Sequence, residues 1–287
     1  AHLAGVDTVV FSSAVRETNP EYLEALDRGL TIIHRSEALR WLLQGKTPLA
    51  VAGSHGKTTT TAMLATALEA VGIDAGCVNG GVISQWGVSS RAGSDDLFVI
   101  EADESDRSFV GYEPAHVLIT NIAPDHLDFY GTLDAILEAF EAFARTATDS
   151  IVLCADDSGT EELSSRLSGA ARIVTYGVSP QADVIMSDVV AGPAARFLVR
   201  HRGESVPVEL SVAGRLPALN ATGVIALLIQ LGLSLGDAAG AVAGFQGADR
   251  RFQHHGTLSG VRFFDDHAHH PTEVAAALET ARAVVGE

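Results

Sequence analysis

Residues 50–63 read AVAGSHGKTTTTAM, a short apolar run that ends in a glycine-rich turn and a row of threonines. The apolar residues before Gly53 predict a buried strand, and the stretch that follows predicts a helix over residues 57–71. A turn of this kind can wrap phosphate with its backbone N–H groups, and the dipole of the helix adds to their effect. Two residues separate the glycines here, whereas the usual phosphate-loop spacing is four. The stretch therefore predicts a shortened phosphate loop in an α/β sheet.

The residues of this loop have distinct predicted roles. Lys57 is expected to reach the β- and γ-phosphates of a nucleotide, and Thr58 to offer its hydroxyl to Mg²⁺. Because the loop is expected to face solvent, replacing Lys57 by alanine should leave the fold intact. An ordinary glycine-rich turn is the alternative, but the flanking strand and helix favour a phosphate-binding loop. The predicted nucleotide contacts in the loop are Gly53, Ser54, His55, Gly56, Lys57, Thr58 and Thr59.

Polar side chains follow two further predicted strands at the points where the strands end. Strand LFVIE (97–101) leads into an acidic run at 102–106, and strand HVLITN (116–121) leads into Asp125 and His126. Open α/β sheets bind ligands at the carboxyl ends of their strands, so these residues are expected beside the phosphate loop. Mg²⁺ takes oxygen ligands from carboxylates and phosphates. A solvated acidic loop and a structural histidine are the alternatives, but three strand ends at one edge favour a site.

The order of predicted strands and helices indicates an α/β fold. A strand comes first, followed by a helix that begins at Pro20 with Asn19 as its N-cap, the strand TIIH (31–34) and a helix capped by Ser36. Later stretches that alternate with tight turns predict antiparallel hairpins, at 182–192, 195–203 and 205–212. We therefore predict a mostly parallel sheet with helices on both faces and a small antiparallel edge.

Composition argues against several classes of function. The chain has 287 residues, 47% of them hydrophobic, and 36 acidic against 19 basic residues give a formal net charge of −17. A surface this acidic repels a phosphate backbone, so no nucleic-acid partner is expected. No apolar run reaches the roughly 18 residues of a membrane span, so no membrane association is expected. Cys77 and Cys154 show no paired spacing, which fits a reducing cytoplasm.

A more specific indication comes from three stretches taken together, GSHGKTTTTAM (53–63), EADESDRSF (101–109) and TNIAPDHLDFYGT (120–132). They resemble the Mur ligase family, ATP-dependent amide-bond-forming enzymes of peptidoglycan synthesis. The short phosphate loop is a trait of that family, and EADESD with DHLDFYG favours its alanine-adding branch. Flanking stretches are similar as well, so the resemblance covers nearly the whole chain; they lie at 9–39, 244–253 and 265–274.

The resemblance implies a fold and a reaction. The fold is a central ATP-binding P-loop domain of Mur-ligase type at 48–246, flanked by partial Rossmann-like domains. These are the second half of a UDP-substrate domain at 1–47 and the start of an amino-acid-binding domain at 247–287. ATP phosphorylates the carboxylate of UDP-N-acetylmuramate, and the amine of L-alanine attacks the acyl phosphate to give amide, ADP and phosphate. The implied cofactors are ATP and Mg²⁺, the implied location is the bacterial cytoplasm, and the expected assembly is a monomer or weak homodimer.

Site roles also follow from the resemblance. Lys57 would stabilise charge on the transferring phosphoryl group. Thr58, Glu104 and His126 would hold Mg²⁺, with Glu101 as the competing carboxylate. The remaining implied contacts are Asn220 for adenine, Arg250 or Arg251 for the ATP phosphates, and Asp265, Asp266, His269 and His270 for the amino-acid end of the site.

Departures from the family pattern keep other readings open. The family usually has a His-Asn or similar pair shortly before the adenine contact, whereas residues 214–220 here read GRLPALN, with Leu216 as the departure. His267 stands where the family has tyrosine. We expect the sequence to be a fragment, without the UDP-binding glycine-rich loop and most of the third domain, that binds nucleotide without ligation. The alternatives are a divergent ATP- and Mg²⁺-binding module and an unrelated small-molecule kinase, although a kinase would not explain the flanking stretches.

Overall fold

The computed structural model describes residues 2–286 and is built around a ten-stranded sheet. The strands along the chain are β1 (Thr8–Phe11), β2 (Thr31–His34), β3 (Thr47–Ala52), β4 (Gly76–Ile83), β5 (Val88–Arg91), β6 (Leu97–Glu101), β7 (His116–Ile119), β8 (Ser150–Cys154), β9 (Arg172–Gly177), β10 (Val184–Val190), β11 (Arg196–His201), β12 (Glu204–Glu209), β13 (Gln253–Leu258) and β14 (Val261–Asp265). The α-helices are α1 (Pro20–Asp27), α2 (Arg35–Leu42), α3 (Lys57–Ala70), α4 (Leu127–Tyr130), α5 (Leu133–Ala144), α6 (Ser158–Arg166), α7 (Arg215–Gln230), α8 (Leu235–Ala243) and α9 (Pro271–Val285).

The large sheet has the order β12-β11-β10-β9-β8-β7-β3-β6-β4-β5. Its centre, from β10 to β4, is parallel, while β11 and β12 extend it antiparallel at one edge and β5 does so at the other. The predicted α/β fold with a mostly parallel sheet and an antiparallel edge is confirmed. The β4–β5 hairpin at the second edge was not predicted.

Helices cover both faces of this sheet because its central strands are apolar on both sides. In β3, Leu49 and Val51 pack in one hydrophobic cluster with α3, α7 and α8, whereas Ala50 and Ala52 pack in a second cluster with α5 and α6. Side chains alternate between faces with a period of two, so a continuous apolar run is what a strand buried on both faces requires. The phosphate-loop candidate leaves the end of this doubly buried strand.

The first residues form a separate small sheet in which β1 and β2 pair in parallel. Asn19 caps α1 as predicted, since its side chain accepts from the N–H of Glu21 at 2.9 Å. The predicted cap of α2 was wrong: His34 is the N-cap, and Ser36 lies inside the first turn. The reason is Glu37, whose carboxylate reaches back to the N–H of His34 at 3.2 Å and so completes a capping box two residues before the predicted cap.

The last part of the described chain adds an antiparallel pair, β13 with β14, followed by α9. Of these elements, β13 was not predicted. Its sequence QHHGTL has no apolar alternation, so it carries no strand signal of its own. The division of the chain at residues 47 and 246 stays a prediction. Within residues 2–286, no helix is both long and apolar enough to cross a membrane.

Close packing of β9 against α7 gives a test of this fold. A β-carbon placed on Gly223, inside α7, would lie 2.7 Å from the Cζ atom of the fully buried Tyr176 ring. We expect Gly223→Ala to lower the free energy of unfolding by about 1–3 kcal/mol, because a rigid buried ring cannot move aside. Urea denaturation followed by circular dichroism measures this change.

Gly240, inside α8, provides the matched control because a β-carbon there meets no atom within 4 Å. Gly240→Ala should raise the free energy of unfolding by about 0.5–1 kcal/mol through helix propensity. Equal gains at Gly223 and Gly240 would contradict the packing of Tyr176 against α7.

Candidate active site

The turn between β3 and α3 has the geometry of a phosphate loop. Gly53 and Gly56 have φ of 135° and 84°, in the range that favours glycine. A β-carbon on Gly53 would also lie 2.1 Å from the hydroxyl oxygen of Thr120. Asn121 holds the loop: its backbone oxygen accepts from the N–H of Ser54 at 3.0 Å, and its side-chain oxygen accepts from the N–H of His55 at 2.9 Å. Glycine is therefore required at position 53 by both conformation and space.

The hydroxyl of Ser54 is already used within the protein. It accepts from the N–H of Ala123 at 2.9 Å and donates to the carbonyl of Ala123 at 3.2 Å. This predicted nucleotide contact therefore joins the phosphate loop to the loop that follows β7. The N–H groups of the first turn of α3, where Lys57, Thr58 and Thr59 lie, have no carbonyl partner within the helix and are the groups available to an anion.

Lys57 is the cation of the site, and it lies against a buried carboxylate. Its Nζ is 2.9 Å from Oε1 and 2.8 Å from Oε2 of Glu104, and it also donates to the carbonyls of Gly53 at 2.7 Å and Ser54 at 3.2 Å. Only 2% of the Glu104 side chain is exposed, and burial raises the pKa of this carboxyl against the opposing attraction of Lys57. The expectation that Lys57 sits on a solvent-facing loop was wrong, since only 14% of its side chain is exposed.

Thr58 faces a different carboxylate. Its hydroxyl donates to Oε1 of Glu101 at 3.0 Å, while Oε2 of Glu101 accepts from the N–H of Gly80 at 2.7 Å. Glu101 lies two residues after Val99, which packs in the same cluster as α3, so strand alternation turns it toward the first turn of α3. Arg251 approaches from the C-terminal side and donates to the Thr58 hydroxyl at 3.3 Å.

The predicted magnesium ligands therefore fall into two neighbouring groups. Thr58 is bonded to Glu101, whereas Nε2 of His126 lies 3.8 Å from Oε1 of Glu104. His126 has a φ of 52°, a left-handed conformation that is uncommon for a residue with a side chain. No group of three or more His, Cys, Asp or Glu side chains within residues 2–286 is arranged to hold a metal ion. Phosphate oxygens would have to complete the coordination of Mg²⁺, as is usual for that ion.

Two residues that the sequence analysis did not single out fix the loop that carries His126. Oδ1 of Asp157 accepts from the N–H of Ile122 at 3.0 Å and from the N–H of Thr160 at 2.9 Å, so it caps α6 and holds this loop at once. The phenol of Tyr130 donates to the backbone carbonyl of Glu104. Asp157 was detectable as an N-cap residue ahead of α6, whereas the Tyr130 contact has no sequence signal.

A cavity of about 590 Å³ lies beside the phosphate loop, between the first turns of α7 and the C-terminal segment. Asn220 lines it and is 3% exposed. In the described part of the chain, no group completes a hydrogen bond with its amide. A β-carbon on Gly56 would lie 3.2 Å from its Nδ2, which places the amide next to the loop backbone. Leu216, one of the departures from the family pattern, and its neighbour Pro217 line the same cavity.

The two arginines predicted for phosphate lie in different surroundings. Arg251 lines the cavity and reaches Thr58, whereas Arg250 is exposed and lies with Nη2 2.8 Å from Nδ1 of His267. The structure therefore brings Arg251, and not Arg250, to the phosphate loop.

The four residues predicted for the amino-acid end of the site also lie in different surroundings. Asp266 lines the cavity. Its carboxylate accepts one hydrogen bond from a backbone N–H just before β13 and another from a backbone N–H just after β14. His270 caps α9, and its ring centre lies 4.6 Å from that of His55. Asp265 is half-exposed on β14, and 70% of the His269 side chain is exposed. Asp266 and His270 therefore join the site, and the other two lie farther out.

The N-terminal segment is attached to the acidic loop after β6. Arg35, the first residue of α2, lies with Nη2 2.8 Å from Asp103 and 3.4 Å from Asp106, and Nε2 of His34 is 3.6 Å from Asp106. Ser13 donates to the same Asp106 carboxylate. The loop that carries Glu104 is thus held from one side by α2 and from the other by Tyr130.

The pairing of Lys57 with Glu104 leads to a stability prediction. Lys57→Ala should lower the free energy of unfolding by about 3 kcal/mol, because it leaves a buried carboxylate without its cation. Adding Glu104→Gln should recover most of that loss, since the buried charge is then gone. Chemical denaturation of the single and double variants measures both changes.

Lys46, the only other lysine of the sequence, is the control. Its amine donates to the exposed carbonyl of Asp95, so Lys46→Ala should change stability by no more than about 0.5 kcal/mol. Equal losses in Lys57→Ala and in the Lys57→Ala, Glu104→Gln double variant would show that the carboxylate is not the stabilising partner.

Comparisons with known proteins indicate the family of this chain. The chain is 49% identical over 287 residues to UDP-N-acetylmuramate–L-alanine ligase of Clavibacter sepedonicus, with 100% of this chain and 60% of the relative covered. It is 43% identical over 290 residues to the ligase of the same name from Arthrobacter sp., with 100% and 62% covered. The chain therefore spans about 60% of the length of these relatives.

Solved structures show the same fold. The crystal structure of UDP-N-acetylmuramate–alanine ligase from Thermotoga maritima matches with a TM-score of 0.87 and 31% identity, over 98% of this chain and 65% of that one. A murein peptide ligase from Psychrobacter arcticus matches with a TM-score of 0.80 and 30% identity, over 98% and 64%. The sequence profile of the Mur ligase middle domain matches residues 51–228. Because this match covers more than half of the chain, the chain belongs to the Mur ligase family.

Proposed function

We propose that this chain is the nucleotide-binding core of a UDP-N-acetylmuramate–L-alanine ligase. The observation that carries the proposal is the phosphate loop, with Lys57 paired to Glu104, beside a cavity into which Asn220 brings an unused amide. A relative that bears this ligase name is 49% identical across the whole chain. The central ATP-binding part would span residues 48–246, with 1–47 belonging to a substrate domain and 247–287 to an amino-acid-binding domain.

The surroundings of the loop fit a nucleoside triphosphate. The first turn of α3 supplies N–H donors and the positive end of a helix dipole for the phosphates. The adjoining cavity of about 590 Å³ lies within the range of small-molecule sites. The buried amide of Asn220 can donate and accept at once, which suits the hydrogen-bonding edge of a purine base. Arg251, 3.3 Å from Thr58, adds a second cation to Lys57 for the phosphate oxygens.

Mg²⁺ fits the same edge of the sheet. Our proposed ligands are Thr58, Glu104 and His126, with Glu101 as the alternative carboxylate that the 3.0 Å contact with Thr58 supports. The ion would supply positive charge that offsets the charge of the phosphates. Hydroxyl and carboxylate oxygens are the ligand types that it prefers.

In the proposed reaction, the residues of this chain stabilise the charge of the phosphates and position the reacting groups. The phosphoryl group passes from ATP to the carboxylate of UDP-N-acetylmuramate, and the amino group of L-alanine then displaces phosphate to form the amide. Lys57 would exchange its contacts with the loop carbonyls for phosphate oxygens, and Glu104 would keep its amine aimed at them. Asp266 and His270 lie where the C-terminal segment approaches the loop and would face the amino-acid substrate. We further propose a cytoplasmic location and a monomer or weak homodimer.

Nucleotide binding by this polypeptide is the first test. Calorimetric titration with a non-hydrolysable ATP analogue should show binding that depends on Mg²⁺. Lys57→Ala should reduce the affinity at least tenfold, because the loop loses its charged donor, while Lys46→Ala should bind like the unaltered protein. Binding that is unaffected by Lys57→Ala would contradict the proposed role of the loop.

The choice of carboxylate can be tested in the same titration. The Mg²⁺ dependence of analogue affinity should be lost in the variant that lacks the metal ligand, whether Glu101→Gln or Glu104→Gln. Because the amide keeps the size of the side chain, the comparison isolates its charge. Loss of Mg²⁺ dependence in neither variant would place the metal ligands elsewhere.

Ligation requires a separate measurement on a longer polypeptide that extends over the full length of the relatives. We expect phosphate release that depends on both UDP-N-acetylmuramate and L-alanine. Nucleotide binding without alanine-dependent release would favour the second candidate, an ATP- and Mg²⁺-binding module, for which Leu216 and His267 are the motivating departures. A phosphorylated product without an amide would instead indicate a kinase.

A further inference from the structure

A pair of side chains joins helix α9 to the phosphate loop. Oε1 of Glu273 lies 3.3 Å from Nδ1 of His55, and both side chains are largely buried, with 15% and 8% exposed. The ring of His55 also lies against the ring of His270, the residue that caps α9. His55 is in the middle of the phosphate loop, so this contact joins the loop to a helix more than 200 positions later in the sequence.

The second oxygen of the same carboxylate fixes the beginning of α9. Oε2 of Glu273 accepts from the N–H of His269 at 3.1 Å and from the N–H of His270 at 3.3 Å. These bonds form a capping box, in which the third residue of a helix satisfies the N–H groups ahead of it. A single carboxylate therefore holds both the start of the helix and its contact with the loop.

The position of α9 also sets the width of the cavity beside the loop. Glu273, Ala276, Ala277 and Thr280 line the cavity from α9, opposite the first turns of α7. Farther along, α9 touches the residue before α7, since a β-carbon on Gly214 would lie 2.5 Å from the hydroxyl oxygen of Thr280. Movement of α9 away from the loop would therefore open one whole wall of the cavity.

We propose that Glu273 is a positioning residue that couples the phosphate loop to α9, so that a bound nucleotide and a docked α9 stabilise each other. The inference rests on the proposed function, because the nucleotide is the ligand that it couples. Coupling between two equilibria is reciprocal: if docking of α9 strengthens nucleotide binding, the nucleotide must strengthen docking by the same factor. Both directions can be measured on this chain.

The direct test combines nucleotide titration with hydrogen exchange, using a non-hydrolysable ATP analogue and Mg²⁺. In the unaltered protein the analogue should slow exchange of the backbone amides at 267–274, which include those bonded to Glu273. Glu273→Gln removes the charge that faces His55, while glutamine can still form the capping box. This variant should bind the analogue about five- to tenfold more weakly, and it should lose the added protection even at saturating analogue.

Three further variants separate coupling from a merely structural role. Glu279→Gln makes the same chemical change at an exposed position of α9 and should match the unaltered protein in affinity and protection. His55→Ala should weaken binding by itself, and the His55→Ala, Glu273→Gln double variant should be no weaker than the worse single variant, because both remove one contact.

Opposite results are equally clear. Additive losses in the double variant, full nucleotide-induced protection in Glu273→Gln, or equal affinities of Glu273→Gln and Glu279→Gln would each overturn the inference. Absence of nucleotide binding by the unaltered protein is a different outcome, since it would overturn the proposed function itself.

Discussion

The ion pair between Lys57 and Glu104 is the interaction on which the rest of the site depends. A buried carboxylate is costly unless a cation and hydrogen bonds accompany it, so the acidic loop and the phosphate loop can only fold together. Asp103 and Asp106, on either side of Glu104, bind α2 of the N-terminal segment, and Tyr130 ties the same loop to the segment carrying His126. One charged contact thus sets the relative positions of three chain segments.

The parallel sheet explains why these groups meet at all. Strands β3, β6 and β7 are neighbours in the sheet, so their carboxyl ends lie side by side although their sequences are separated by many residues. From Leu49 to Ala52, apolar side chains cover both faces of β3 and leave no polar side chain there. The polar residues are therefore concentrated where the strands end, and α3 begins there with its N–H donors directed at the same place.

How much of the structure the sequence predicts depends on whether each feature is determined by local interactions or by contacts between distant segments. Strand 97–101 was predicted with its observed bounds, because a run buried on both faces has a clear beginning and end. The positions of Gly53 and Lys57 in the turn between β3 and α3 were also predictable, since they depend on local conformation. The partners of side chains were not predictable. Glu101 and Glu104 lie three residues apart, yet one faces Thr58 and the other Lys57, and that choice depends on strand alternation and on loops folded from distant segments.

Asn121 has a consequence for how a ligand would meet the loop. Its side chain accepts from the N–H of His55 and donates to the carbonyl of His55, both at 2.9 Å, so it pairs with that peptide much as a neighbouring strand would. The conformation of the loop is therefore established during folding and does not have to be organised by the ligand. Binding then loses little conformational entropy in the loop, and more of the contact energy remains as affinity. The phosphate loop therefore has its binding conformation before a ligand arrives.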